Sequence, residues 1–119
     1  TFLVTCVSSS AGAAPDWVIG SVHAVILDGK VVVVSNSGSQ LPAYASGASH
    51  VIWVVGSQKI VPDFATAMKR IYEYTLPLEN ERAMKVYGAE SNVSKILIFN
   101  KEIKPGRITV IFVKEKLGF

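Results

Sequence analysis

Apolar residues gather in short runs along the chain, and each run has the length of a strand. Val31–Val34, Val51–Val55 and Ile108–Val113 are the clearest of them, and none is long enough to cross a bilayer as a helix. Val31–Val34 does not alternate with polar residues, so both faces of this strand should be covered. The pattern therefore predicts a central, buried strand and no membrane span.

Turn and capping signals divide the rest of the chain into strands and helices. Asp28-Gly29 predicts a tight turn between extended runs at Val22–Leu27 and Lys30–Ser35. Further strands are predicted at Asp16–Ile19, His50–Gly56, Lys95–Asn100 and Ile108–Val113. Helices are predicted at Leu41–Gly47 and from Pro77 to a C-terminal Gly88. Another is predicted to start at Val61-Pro62-Asp63, with Asp63 as its N-cap or as an acid in its first turn. This order indicates a single α/β domain with a mixed sheet over residues 16–119.

Residues 1–15 show no hydrophobic period and are rich in Ser, Ala and Gly, which predicts a tail or a remnant edge segment. A catalytic N-terminal Thr1 is the sharper alternative, but the sequence shows no base to activate it. Cys6 is the only cysteine, which excludes an intramolecular disulfide and a cysteine-rich zinc site and favours a reducing cytoplasm.

Charge is distributed unevenly along the chain. The net charge is +3, and residues 59–119 contain 11 basic and 7 acidic residues. Lysines alternate with acids in this half, which is typical of a solvated face and argues against nucleic acid as a partner. A surface that attracts small anions is the other interpretation.

The segment that follows the Val31–Val34 strand is the strongest candidate for a binding site. In open α/β sheets ligands lie at the carboxyl ends of strands, and the loop Ser37–Gln40 follows such an end. Gly38 allows a positive φ and close approach of the backbone, while Ser37, Ser39 and Gln40 add polar groups. With the N-terminus of the next helix, these residues could cradle a phosphate or carboxylate. A simple turn with a serine N-cap is the alternative.

Several longer stretches resemble the LUD domain family, the lactate-utilisation protein C-like proteins. They are the Asp-Gly turn within Ala24–Gly29, the SGSQ loop at Ser37–Gln40, VVGSQKIV at Val54–Val61, PLENERA at Pro77–Ala83 and the ending GRITVIFVKEKLGF. The similarity runs from Pro15 to Phe119. It implies that the chain corresponds to the C-terminal part of the family's longer members, as a fragment or a minimal relative.

The resemblance implies a Rossmann-like fold of the group that contains sugar-phosphate isomerases and coenzyme A transferases. Its sheet would be mixed and mainly parallel, with flanking helices and a C-terminal pair of strands. It also implies a role near lactate oxidation, beside iron–sulfur partner proteins, since this chain lacks the cysteines to hold a cluster. Isomerases of the group carry an acid before the turn, where this chain has Val22, so isomerase chemistry is in doubt.

His23 and Lys59 are the candidate chemical groups outside the loop. His23 has the right intrinsic pKa for a general base, with Asp16 or Asp28 as possible partners, and a half-buried histidine with one hydrogen bond is the alternative. Lys59 follows another strand end, where a phosphate-binding lysine would lie, and is the best single cation for the site.

Three other residues have weaker claims. Arg82 could clamp an anion, although a surface salt-bridge set with Glu79 and Glu81 explains it as well. His50 is too isolated in the sequence to predict a metal site with His23, and Arg107 is expected to point to solvent.

Three functions remain open on the sequence. The first is a LUD-like protein that binds a small anionic metabolite or nucleotide-type ligand at Ser37–Gln40 and Lys59, with its cofactor unspecified. The second is a transferase- or isomerase-type enzyme with His23 as base. The third is an oligomeric interaction module, because an incomplete sheet leaves apolar surface uncovered and favours a homo-oligomer.

Overall fold

A computed structural model describes residues 16–119 in full and the strand backbone of Val4–Val7. The strands in these residues are β1 Val4–Val7, β2 Trp17–Gly20, β3 Ala24–Ile26, β4 Val31–Ser35, β5 His50–Gly56, β6 Ile60–Val61, β7 Lys95–Phe99 and β8 Ile108–Val113. The α-helices are α1 Phe64–Arg70 and α2 Leu76–Tyr87.

The described strands form two four-stranded sheets. The first sheet has the order β1-β2-β5-β8, in which β2, β5 and β8 run parallel and β1 is antiparallel at the edge. The second has the order β6-β3-β4-β7, in which β3 is parallel to β6 and antiparallel to β4, and β7 is antiparallel to β4. The predicted mixed, Rossmann-like α/β fold class is confirmed. Both C-terminal strands are present, but β7 and β8 lie in different sheets.

Strand β4 explains why its sequence does not alternate. Val31 and Val33 pack toward the first sheet in a core with Val51 and Trp53. Val32 and Val34 point to the opposite face, where Ala67 and Ile71 of the helical segment cover them. The molecule is therefore three layers deep, and the second sheet is the middle layer. The predicted central strand, covered on both faces, is confirmed.

The helical region after Asp63 is continuous. Asp63 caps α1 by accepting a hydrogen bond of 2.7 Å from the backbone N–H of Thr66, as predicted. A π-helical turn at Ile71–Thr75 then joins α1 directly to α2, so the helix predicted to start at Pro77 has no loop before it. Proline lacks an N–H and crowds the preceding turn, and a wider turn relieves that conflict. Gly88 ends α2 at φ 69°, as predicted.

The N-terminal predictions are only partly covered by the described residues. Val4–Val7 pairs with β2 at the edge of the first sheet. The rest of the predicted tail, with Thr1 and the side chain of Cys6, lies outside the residues that the structure describes.

Candidate anion-binding site

The strand directions bring several polar connections to one end of the fold. β2 and β5 end at Gly20 and Gly56 on the same edge of the first sheet, because they run parallel. Two short connections, Ser21–His23 and the 3₁₀ turn Ser57–Lys59, then lead into the starts of β3 and β6. β4 is antiparallel to β3, so its carboxyl end at Ser35 lies at this end too. His23, Lys59 and the Ser37–Gln40 loop therefore lie at one end of the molecule.

Lys59 is a buried cation that pairs with no acid in the part of the chain that the structure describes. Its side chain is only 1% exposed, and Nζ donates to the Val22 carbonyl oxygen at 2.9 Å and to Ser21 Oγ at 3.2 Å. No described acid forms an ion pair with it. Burial, and then the positive charge of Arg70, lower the pKa of Lys59 to about 8. The ammonium is thus held by neutral oxygens in a place that would favour an added negative charge.

Arg70 was not singled out by the sequence analysis. Its Nη1 donates to the His23 carbonyl oxygen at 3.3 Å and to Thr75 Oγ1 at 2.8 Å, and its Nη2 donates to the backbone oxygen of Phe119. Burial lowers the pKa of Arg70 from its ordinary value. One signal was available: Arg70 lies three residues after Ala67 on the apolar side of α1, where a charged residue is out of pattern.

His23 is positioned by the sheet. It is 3% exposed, and its Nδ1 accepts a hydrogen bond of 3.0 Å from the backbone N–H of Val34. Burial, followed by the charge of Lys59, lowers the pKa of His23 well below 6.5, so the ring is neutral. Asp28 is not its partner, because Asp28 lies beyond the opposite end of β3 and pairs with Lys30. A catalytic role for His23 stays a prediction.

The Ser37–Gln40 loop is held by its own hydrogen bonds. The Gly38 N–H donates to Ser35 Oγ at 2.8 Å, and Ser35 Oγ donates to Gln40 Oε1 at 3.0 Å. The Ser39 N–H donates to Ser37 Oγ at 3.3 Å. Gly38 has φ +83°, as its predicted role in the turn requires. These loop N–H groups already have acceptors. An anion would therefore have to displace those acceptors, or bind instead to the exposed hydroxyls of Ser37 and Ser39.

The loop and Lys59 are connected through Tyr44. The Tyr44 backbone N–H donates to the Gln40 carbonyl oxygen at 3.2 Å, and Tyr44 Oη donates to the Ser21 carbonyl oxygen at 3.4 Å. Ser21 Oγ in turn accepts from Lys59. Tyr44 belongs to the π-helical turn Ala43–Gly47, which lies where a short helix was predicted.

The predicted salt-bridge set on α2 is partly buried. Glu79 has a side chain only 1% exposed, and Arg82 donates to both of its carboxylate oxygens. The pair lines a surface pocket of about 260 Å³ together with Asn36, Tyr87 and Ser91. Glu79 is therefore not the surface acid that the sequence indicated, whereas Glu81 and Lys85 do form an exposed ion pair at 3.3 Å.

Arg107 does not point to solvent, so that prediction is wrong. It is 4% exposed, and its guanidinium donates to the backbone oxygens of Ala43 and Ala48, each at 2.8 Å. It also pairs with Glu102 at 2.9 Å. The guanidinium adds a charged donor to the carbonyl oxygens where the turn Ala43–Gly47 ends, and the Ala43 oxygen also accepts from the Ala48 N–H at 3.1 Å. These bonds outweigh the preference of arginine for water.

Metal ligation has little support in the described part of the chain. His50 stacks on Trp17 with ring centroids 4.2 Å apart, away from His23. Within residues 16–119, no three His, Cys, Asp or Glu side chains gather closely enough to hold a metal ion. Within the same residues, no helix has the length and apolar character needed to cross a membrane.

The comparison with protein families settles which family this fold represents. The family model of the LUD domain matches residues 10–113, which include the connections that carry His23 and Lys59. The chain belongs to the LUD domain family. No curated protein and no solved structure matches this LUD domain. The family resemblance seen in the sequence is therefore confirmed. The match itself assigns no role to any individual residue.

Proposed function

We propose that this LUD domain binds a small anionic metabolite or nucleotide-type ligand at the end of the fold that holds Lys59 and the Ser37–Gln40 loop. The observation that carries the proposal is the buried ammonium of Lys59, which lies near Arg70 and whose acceptors among the described residues are both neutral. Buried charges are usually paired, because an unpaired one loses hydration without compensation. A bound carboxylate or phosphate would supply the missing negative charge.

The family name connects this binding to lactate utilisation. Lactate and its oxidation product pyruvate are both small carboxylates, which fits the charge of the site. In that setting this chain would hold the ligand, and iron–sulfur partner proteins would carry the electrons.

Native mass spectrometry of the purified protein tests the proposal, with pyruvate, inorganic phosphate and ADP added in turn. We expect at least one of them to bind the wild type and to be lost in Lys59→Met, which keeps the length of the side chain and removes its charge. Lys101→Met is the matched control, because Lys101 is exposed and follows β7. β7 lies at the opposite edge of the second sheet from β6, the strand that Lys59 precedes. Equal binding to all three proteins would place the ligand elsewhere.

A second candidate function is self-association through the outer face of the first sheet. Trp17, Ile19 and Ile111 are 43%, 41% and 48% exposed on that face. Register places Ile19 beside Ile52, and Ile111 beside Val54, so these side chains form a continuous apolar surface. Light scattering after size-exclusion chromatography should show an oligomer that Ile111→Lys dissociates. Ile103→Lys, at an apolar residue 82% exposed elsewhere, should leave it intact.

A further inference from the structure

The pocket of about 260 Å³ beside α2 adjoins the Ser37–Gln40 loop. Glu79 and Arg82 line it from the helix, and Asn36, which directly precedes the loop, lines it from the end of β4. The segment after α2 is tied to the same strand end, because Ser94 Oγ donates to the backbone oxygen of Asn36. The pocket and the loop therefore meet at Asn36.

Two enclosed polar side chains line this pocket. Glu79 is 1% exposed, and its carboxylate accepts hydrogen bonds from Arg82. Ser91 is 7% exposed, and within residues 16–119 no group forms a hydrogen bond with its hydroxyl. A hydroxyl this enclosed normally has a partner, and the pocket that Ser91 lines is the space in which a ligand atom can supply it.

Charge and shape favour a neutral ring in the pocket over a free anion. Glu79 and Glu90 outnumber Arg82 among the lining residues, so the local charge repels phosphate and carboxylate. The ring of Tyr87 is 72% exposed at the rim, with the Arg82 guanidinium 5.9 Å from its centroid, and it offers a face for stacking. The volume lies just below the about 300–1,000 Å³ of pockets for drug-sized ligands, which suits a single ring system.

A nucleobase that carries an amino group has the matching chemistry. Its amino N–H groups donate to carboxylates, and an asparagine side chain can bond an adenine edge at two points. A ring nitrogen can accept the free hydroxyl of Ser91, and the face of the base can stack on Tyr87. Asn36, Ser91 and the two glutamates thus present the donors and acceptors that such a base requires.

We propose that this pocket receives the amino-bearing base of a nucleotide whose phosphates lie toward the Ser37–Gln40 loop. The inference rests on the proposed function, because it selects the nucleotide-type ligand over a small carboxylate for the same end of the fold. The base lies between Tyr87 and the enclosed hydroxyl of Ser91. The phosphates extend past Asn36, out of the negatively charged pocket and toward the exposed loop hydroxyls.

Calorimetric titration of the full chain with ADP, UDP and inorganic pyrophosphate tests this inference. Pyrophosphate has the charge of the nucleotide without its base, and UDP has a base without an amino group. We expect ADP to bind about tenfold more tightly than either. Tyr87→Ser should remove that advantage and leave the affinity for pyrophosphate unchanged. Tyr72→Ser, at a tyrosine 49% exposed on the π-helical turn, is the matched control and should change neither affinity.

A second pair of variants blocks the pocket without removing any of its polar groups. Ala89 is exposed and lines the rim, so Ala89→Trp should place an indole in the space for the base and weaken ADP binding. Ala65→Trp, at an exposed alanine of α1, should leave the affinity for ADP unchanged.

The outcomes separate the base pocket from the anion site. An affinity for ADP that equals that for pyrophosphate, or that Ala89→Trp leaves unchanged, overturns the pocket even if Lys59→Met abolishes binding. Equal affinities for ADP and UDP overturn the recognition of the amino group. ADP binding that survives Lys59→Met but not Ala89→Trp supports the pocket and overturns the role of Lys59. Absence of binding of both ADP and pyrophosphate to the wild type overturns both sites.

Discussion

His23 and Val34 are joined by a hydrogen bond of 3.0 Å in which the backbone N–H of Val34 donates to Nδ1 of the imidazole. The bond crosses between the connection before β3 and the end of β4, so it fixes the neutral ring against the sheet. A protonated ring would present a donor at Nδ1, and this bond would be lost. The same ring lies near the charge of Lys59, which further disfavours its protonation.

We therefore predict that His23 makes the folded protein sensitive to mild acid. The pKa of His23 is lowered in the folded state, so the unfolded chain binds the extra proton first as the pH falls. The contribution of His23 to the free energy of unfolding is fully present above pH 6.5 and is lost as the pH falls below that value. Urea unfolding between pH 5 and 8 should show the wild type losing stability relative to His23→Gln in acid.

The control for this experiment is His50→Gln, which replaces the exposed histidine that stacks on Trp17. It should keep the acid-dependent loss of stability seen in the wild type. If His23→Gln shows the same loss as the wild type, another group is responsible and His23 is ionised more easily than its burial indicates.

The lowered pKa of Lys59 should likewise make the free energy of unfolding rise with pH, in this case over the alkaline range. Its pKa is about 8 in the folded protein and 10.5 ordinarily, so the unfolded chain holds more protons between these values. The wild type should therefore gain up to about 3 kcal/mol of stability relative to Lys59→Met as the pH rises from 8 to 10.5. Guanidinium unfolding at several pH values measures this difference. A difference that stays constant with pH would mean that the ammonium is solvated or paired.

Arg107 should be one of the main stabilising side chains outside the apolar core. Its guanidinium bonds Ala43, Ala48 and Glu102 at once, and a lysine cannot reach all three acceptors. We expect Arg107→Lys to lower the free energy of unfolding by about 2–3 kcal/mol, because the buried Ala48 oxygen and the Glu102 carboxylate lose their guanidinium donors. Urea unfolding with the exposed Lys104→Ala as control checks this. A loss no larger than that of the control would mean that water replaces the guanidinium.

The sequence predicted the strands and turns well because their signals are local. Val31–Val34, Asp28-Gly29, Asp63 and Gly88 each determine a backbone conformation through their own side chains or the lack of one. The fold class followed from their order. The division into two sheets could not be predicted, because it depends on which strands pair over long sequence separations.

The position of the candidate site was predicted in outline, because some of its signals are also local in the sequence. Strand ends and a Gly loop indicated where Lys59 and Gly38 lie, since both are read from neighbouring residues. Arg70 meets Lys59 only through the packing of α1 on the second sheet, and Phe119 reaches Arg70 only through the path of the last segment. The burial of Glu79 and Arg107 likewise depends on neighbours distant in sequence, so a surface role was the natural expectation for both.

Removing Arg82 alone from its ion pair with Glu79 should destabilise the protein, whereas replacing both residues with apolar ones should change its stability little. Glu79 is buried, whereas Arg82 is 38% exposed and is its cationic partner among the described residues. Arg82→Met should destabilise the protein by about 2–3 kcal/mol, because it leaves a buried carboxylate unpaired. The double variant with Glu79→Met should recover most of that loss. A double-mutant cycle in urea measures the coupling, and additive losses would show that water already compensates the carboxylate.

Gly38 should be required for the loop for two separable reasons. Its φ of +83° is unfavourable for any residue with a Cβ, and a Cβ placed there would lie 2.5 Å from Cδ of Lys95. We expect Gly38→Ala to cost about 1–2 kcal/mol and Gly88→Ala about 1 kcal/mol, since Gly88 has φ +69° but open space around its Cα.

Replacing the neighbouring lysine separates these two contributions to the cost of Gly38→Ala. In a Lys95→Ala background the contact with the lysine stem is gone, and only the backbone strain remains. Gly38→Ala should then cost as much as Gly88→Ala in urea unfolding. A cost that stays higher would mean that the alanine also breaks the hydrogen bond from the Gly38 N–H to Ser35, and that the loop needs this bond to keep its shape at the end of β4.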